Sequence, residues 1–156
     1  MLMGRIDHST SETGPGPLKA RSLAVLIGTM VDEILAATEE EQWQGFFRAI
    51  GVRLAQELRL DKIENTDDLV FEMNALWRAL GWGTVSLELD DEGIDIYHQD
   101  MPMELEHDDA GHWPQVAPHI LIGAYESWFR SLGSGSNLTT RILKQTANVT
   151  HLRHGL

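Results

Sequence analysis

Between Glu72 and Pro102 the hydrophobic period of this chain switches from that of a helix to that of a strand. Met73, Leu76, Trp77 and Leu80 recur at helical spacing. Val85, Leu87 and Leu89 then alternate with Thr84, Ser86, Glu88 and Asp90, as on a half-buried strand. Gly81-Trp82-Gly83 marks the changeover. A glycine just past the last periodic residue supplies a left-handed helix stop, and a second frees the backbone to turn. Asp91-Glu92-Gly93 reverses the chain into Ile94, Asp95, Ile96 and Tyr97, which predicts a hairpin.

The same reading extends along the chain. Leu23, Leu26, Ile27, Met30, Ile34 and Leu35 predict one face of a helix over 17–37. Trp43, Phe46, Phe47, Ile50, Leu54 and Leu58 predict a second over 39–58, with Thr38 as its N-cap. A third helix begins after Thr66, with Asp67 and Asp68 in its first turn, and stops at Gly81. A loop of about a dozen residues, 100–113, leads to a long helix at 114–132. Imperfect alternation in 138–145 and 147–153 predicts two further strands. Residues 1–17, rich in Ser, Thr, Gly and Pro, read as a flexible N-terminal arm before a single domain over 18–156. The fold class is α+β: N-terminal helices packed on an antiparallel sheet made of the hairpin 84–99 and the C-terminal strands.

The helix at 114–132 differs from the others. Val116, Ile120, Leu121, Ala124, Trp128 and Leu132 fill one face, while Ile122, Tyr125 and Phe129 fill a second. Gln115, His119, Glu126 and Arg130 leave only a narrow polar strip. A helix apolar almost all round must be covered on both sides. In so small a domain the expected cover is another subunit, which makes Ile122, Tyr125 and Phe129 interface residues and a symmetric oligomer the default.

A length of 156 residues with 42% hydrophobic content suits one core. The absence of cysteine excludes disulfides, thiolate nucleophiles and cysteine-ligated metals. Charge is unevenly distributed: 79–129 holds 11 acidic residues and no Lys or Arg, whereas 130–156 holds 4 basic residues and no acidic one. A pI near 4.8 without a basic stripe argues against nucleic acid as a partner. The acidic block reads either as a solvated face or as the partner of the basic tail. Lys19, Arg21 and the apolar run Ser22–Val31 imitate a signal peptide. Asp32-Glu33 follows at once without a cleavage pattern, so an amphipathic helix and a cytoplasmic location are expected.

His98, Asp100, Glu104, Glu106, His107, Asp108, Asp109 and His112 mix the side chains that bind zinc or non-haem iron. Their spacing matches no helix-borne ligand motif, and five of them crowd into 104–109 of one loop, so neither metal nor cofactor is expected. His98 shares the parity of Ile94 and Ile96, which places it on the inner face of the sheet. There is no Gly-x-Ser-x-Gly elbow and no phosphate-cradling glycine loop. Trp43, Trp77 and Trp128 fall on buried helical stripes, and Trp82 is expected to wedge the helix–strand corner. Trp113, in a loop, is the tryptophan expected at a surface or interface.

Several of these residues also carry a resemblance. Glu72, Asn74-Ala75-Leu76, Trp82-Gly83, Val85, Leu87 and His98-x-Asp100-x-Pro102 are followed by Trp113 and by Gly123-x-Tyr125-x-x-Trp128. In their order and spacing the chain resembles the bacterial cellulose synthase D-subunit family, from about Phe46 to Gly133 and only weakly outside it. The resemblance implies a non-catalytic accessory component of the cellulose synthase complex that forms octamers, as tetramers of dimers. It further implies inner passages lined by N-terminal arms, through which glucan chains move, and a proline-rich operon partner. A sliding polysaccharide needs weak, repeated contacts, and Arg5, His8, Ser9, Thr10 and Ser11 offer them, although the arm matches the family poorly. Two readings of other classes stand beside this one. They are a small acidic dimeric chaperone of a secretion system and a metal-dependent enzyme built on the His/Asp loop.

Overall fold

The computed structural model describes the backbone of residues 17–156 and the side chains of 21–156. The chain order is α1 (Pro17–Ala37), α2 (Glu40–Ala55), α3 (Thr66–Leu80), β1 (Thr84–Leu89), β2 (Gly93–Gln99), α4 (Trp113–Ser131), β3 (Thr139–Gln145) and β4 (Val149–Gly155). The four strands form one antiparallel sheet in the order β1-β2-β4-β3. The architecture is α+β, as the pattern predicts. The arm expected over 1–17 lies outside the described residues, except that Pro17 opens α1, and so do Arg5, His8, Ser9, Thr10 and Ser11.

The helix–strand corner follows its glycines. Gly81 adopts φ +70° past the end of α3, its N–H bonding back to the Arg78 carbonyl. Gly83 adopts φ +82° and lies so close to the Gln99 carbonyl that no Cβ could fit. Asn65 caps α3 by accepting the Asp68 N–H at 2.8 Å. The cap of α2 differs from the expectation. Glu39 is the N-cap, with the Gln42 side chain accepting its N–H at 3.0 Å, whereas the Thr38 hydroxyl bonds back to the Ile34 carbonyl in the last turn of α1.

The sheet, α4 and the α1/α2 pair form three layers. The α2 helix reaches the sheet only through α4, and two glycines allow the two helices to cross closely. A Cβ on Gly51 would overlap the Ile120 carbonyl, and one on Gly123 would overlap the Arg48 carbonyl. On its other side α4 meets the sheet. Glu126 accepts the Thr140 N–H of β3 at 2.8 Å and pairs with Arg130 at 2.9 Å, using its polar strip to fix the strand.

This arrangement corrects the expected interface. Ile122, Tyr125 and Phe129 are 3%, 0% and 3% exposed within the subunit itself. Tyr125 packs on Trp77 and Trp128, and Phe129 on His154, with ring centroids 5.0–5.9 Å apart. Both faces of α4 are covered, as an all-round apolar helix requires, but both covers belong to the same chain. The strands β3 and β4 widen the hairpin into a sheet broad enough to cover the second face. Trp113 is also buried, at the start of α4, with its indole N–H donating to the Pro102 carbonyl at 2.8 Å.

Candidate functional site

The residues singled out for chemistry separate into three places. The first is a buried aromatic knot where α3, α4 and β2 meet. Trp77, Trp82, Trp128, Tyr125 and His98 pack together, with Trp77 and Trp82 parallel at 5.9 Å. His98 is fully buried, as its strand parity predicts. Its Nε2 lies 2.6 Å from the Trp82 carbonyl, an acceptor only, so Nε2 carries the proton. Its Nδ1, 2.6 Å from the Tyr125 hydroxyl, therefore accepts from that O–H. Burial lowers the His98 pKa to about 4, partly opposed by the bond to Trp82, and burial raises that of Tyr125 well above its usual range. Both groups are neutral near pH 7 and fully engaged. They lock the corner between α3 and the sheet, both fully buried.

The second place is where α1 meets the loop before α4. Asp32, Asp108 and His112 bring their ligand atoms within 4.8 Å of one another. The sequence singled out Asp108 and His112 but missed Asp32, which comes from α1. Gly28, one helical turn earlier, lies against the backbone of His107. Glycine followed by aspartate at i+4 was the signal for that face. The geometry is that of a clamp. Asp108 accepts the N–H of His112 at 3.0 Å and of Trp113 at 2.8 Å, capping α4, while His112 Nδ1 meets Asp32 at 2.7 Å. Of the remaining loop residues, Glu106 pairs with Arg21 at 3.3 Å on the exposed surface. Asp100 has φ +58° and ends β2, and its N–H donates to the Asn148 carbonyl.

The third place is the outer face of the sheet, where the acidic hairpin does meet the basic tail within one subunit. Arg153 donates to Asp90 at 2.8 and 2.9 Å and to Asp95 at 2.7 Å. Those bonds hold the Asp90 carboxyl down at about 2. His151 bonds Asp95 at 2.9 Å and stacks on Tyr97, centroids 4.4 Å apart.

The remaining feature is apolar. Ile27, Met30, Phe46, Ile50, Trp82 and Trp113 line part of a groove of about 300 Å³ between α1, α2 and α4. Next to it, α1 exposes Leu23, Leu26, Ile27 and Met30. No helix among the described residues is long and apolar enough to cross a membrane. An apolar groove and helix face of this kind can hold another apolar surface.

Two comparisons bear on what this arrangement belongs to. The family described as the D-subunit of cellulose synthase matches residues 19–155, nearly all of the described chain. Cellulose synthase operon protein D of Komagataeibacter xylinus is 33% identical over 87 residues, which cover 54% of this chain and 54% of that protein. The match thus spans about half the length of that relative. The knot residues Trp77, Trp82, His98, Tyr125 and Trp128 and the crossing glycines Gly51 and Gly123 all lie within the family match. The chain belongs to the cellulose synthase D-subunit family.

Proposed function

We propose that this protein is a non-catalytic accessory component of bacterial cellulose synthesis. It works as an oligomeric ring, associated with the synthase complex, that guides nascent β-1,4-glucan chains towards crystallisation and export. The observation that carries this reading is the family match over 19–155, joined to the apolar face that α1 presents to solvent. A building block needs such a face, since burial of apolar area is the main drive for subunit association. Four buried polar side chains support the same reading, because His98 bonds Tyr125 and the Trp82 carbonyl, and His154 bonds Thr140 and Ser134. The glucan contacts fall to the N-terminal segment with Arg5, His8, Ser9, Thr10 and Ser11, and the assembly works on the cytoplasmic side of the inner membrane. A proline-rich operon partner docks on the finished ring.

The test is a cellulose-producing strain lacking this chain, supplied with either the full chain or one without residues 1–12. The truncated form is expected to assemble normally but to give less cellulose or cellulose of lower crystallinity. Unchanged yield and order would count against the passage role. Light scattering on the purified protein should give about eight subunits, whereas two would favour the chaperone reading.

A further inference from the structure

The face of α1 turned away from its own subunit carries a repeat with a symmetry of its own. Lys19, Leu23, Leu26, Met30, Glu33 and Ala37 follow one another at alternating intervals of four and three, the spacing of a helix–helix seam, with Ile27 and Ile34 beside them. Val31, Gly28 and Asp32 lie on the opposite side and hold α1 to the rest of the fold. Leu23, Leu26, Ile27 and Met30 are 57%, 54%, 42% and 51% exposed, and Phe46 of α2 continues the patch at 46%. Among the described residues, nothing packs over this regular apolar row, which faces water.

We infer that this row packs against the same row of a second copy, the two α1 helices running antiparallel about a two-fold axis between Leu26 and Ile27. The inference rests on the assembly reading proposed above and names the surface that performs it. Two features select this occupant and this direction. The row is self-complementary: Leu23 meets Met30 of the partner subunit, and Leu26 meets the partner's Ile27, so every large side chain finds another. The charges are complementary in one direction only. By their places in the repeat, antiparallel pairing brings Lys19 beside Glu33 of the partner subunit at both ends. Parallel pairing would set lysine on lysine and glutamate on glutamate. Ile27 and Met30 also line the groove with Phe46, Ile50, Trp82 and Trp113, so the seam continues into an apolar surface beyond α1.

The chain suits a direct test because it contains no cysteine. Leu26→Glu is expected to reduce the mass measured by light scattering at least to half, with the circular dichroism spectrum unchanged. Glu33→Lys is expected to weaken association about tenfold, and adding Lys19→Glu to restore it. Under oxidation, an equal mixture of Leu23→Cys and Met30→Cys should cross-link into mixed dimers, while Leu23→Cys alone should not. Self-linking of Leu23→Cys would mean parallel helices and overturn the proposal. A wild-type multimer whose mass survives Leu26→Glu would also overturn it, moving the seam elsewhere and leaving the assembly reading intact. A monomeric wild type would sink both.

Discussion

Asn74 on α3 holds Val85 on β1 by both backbone groups. Its Nδ2 donates to the Val85 carbonyl at 3.1 Å, and its Oδ1 accepts the Val85 N–H at 2.7 Å. Since β1 is an edge strand, one amide side chain takes the place that the backbone of a further strand would take. The other edge is blunted differently, by a register shift between Ile142 and Lys144 and by the charges of Arg141 and Lys144. Asn74→Leu should therefore cost about 1–3 kcal/mol, because it strips partners from two half-buried backbone groups. Urea unfolding measures the loss, and concentration-dependent light scattering should reveal new edge-to-edge association. An unchanged unfolding midpoint would show that water replaces the amide without penalty.

His98 makes stability depend on acid. Its folded pKa, about 4, lies below the ordinary 6.5, so the folded state refuses a proton that the unfolded chain accepts. Its contribution is complete above pH 6.5 and is lost as pH falls towards 4. The loss approaches 1.4 kcal/mol per pH unit in that window and about 3 kcal/mol in all. Half-buried His119, also lowered to about 4 by burial and then by Arg48, acts in the same direction with a smaller, solvent-screened share. Unfolding midpoints measured from pH 7 to 4.5 should fall steadily in the wild type and more shallowly in His98→Gln. Equal slopes would remove His98 from this role.

Tyr125 and Phe129 now call for a different outcome from that of interface residues. Tyr125→Lys or Phe129→Asp sets a charge inside the subunit, against Trp77, Trp128 and His154, with no partner. Such burial costs several kcal/mol, on the order of the whole stability of a small domain. Loss of cooperative thermal unfolding is expected. A folded monomer released from an oligomer would contradict this packing.

The helix crossing makes a separate demand. Gly123→Ala forces a methyl group into the Arg48 carbonyl, and Gly51→Ala forces one into that of Ile120. Backbone cannot step aside as a flexible side chain can, so each change should cost about 3 kcal/mol or more. Gly45→Ala serves as the control, because its Cβ meets open space, and it should be neutral or slightly stabilising through helix propensity.

Arg153→Met should release Asp90. Carbon-detected titration of the Asp90 carboxyl is expected to move from about 2 towards the ordinary 3.8, since the Arg153 bond is the largest cause of the shift. Part of the shift should persist, because the N–H groups of Glu92 and Gly93 still bond the carboxylate. A titration that does not move would mean that the ion pair is absent in solution.

What the chain determined by itself was local. The change of period at Gly81-Trp82-Gly83, the inward parity of His98 and the buried stripes of Trp77 and Trp128 follow from side chains a few residues apart on one helix or strand. The family resemblance was legible there too, because residues such as Asn74, Gly83 and Gly123 answer to fixed backbone demands. Tertiary structure alone decided which surface covers which. Ile122, Tyr125 and Phe129 announced that they needed a cover, but periodicity says nothing of who supplies it. Trp77 of α3 and His98 of β2 cover Tyr125, and His154 of β4 covers Phe129, all from distant parts of the chain. Asp32 joined Asp108 and His112, and Arg153 reached Asp90, across even longer separations. Those meetings depend on the packing of whole elements, and a pattern read along the chain measures only near neighbours.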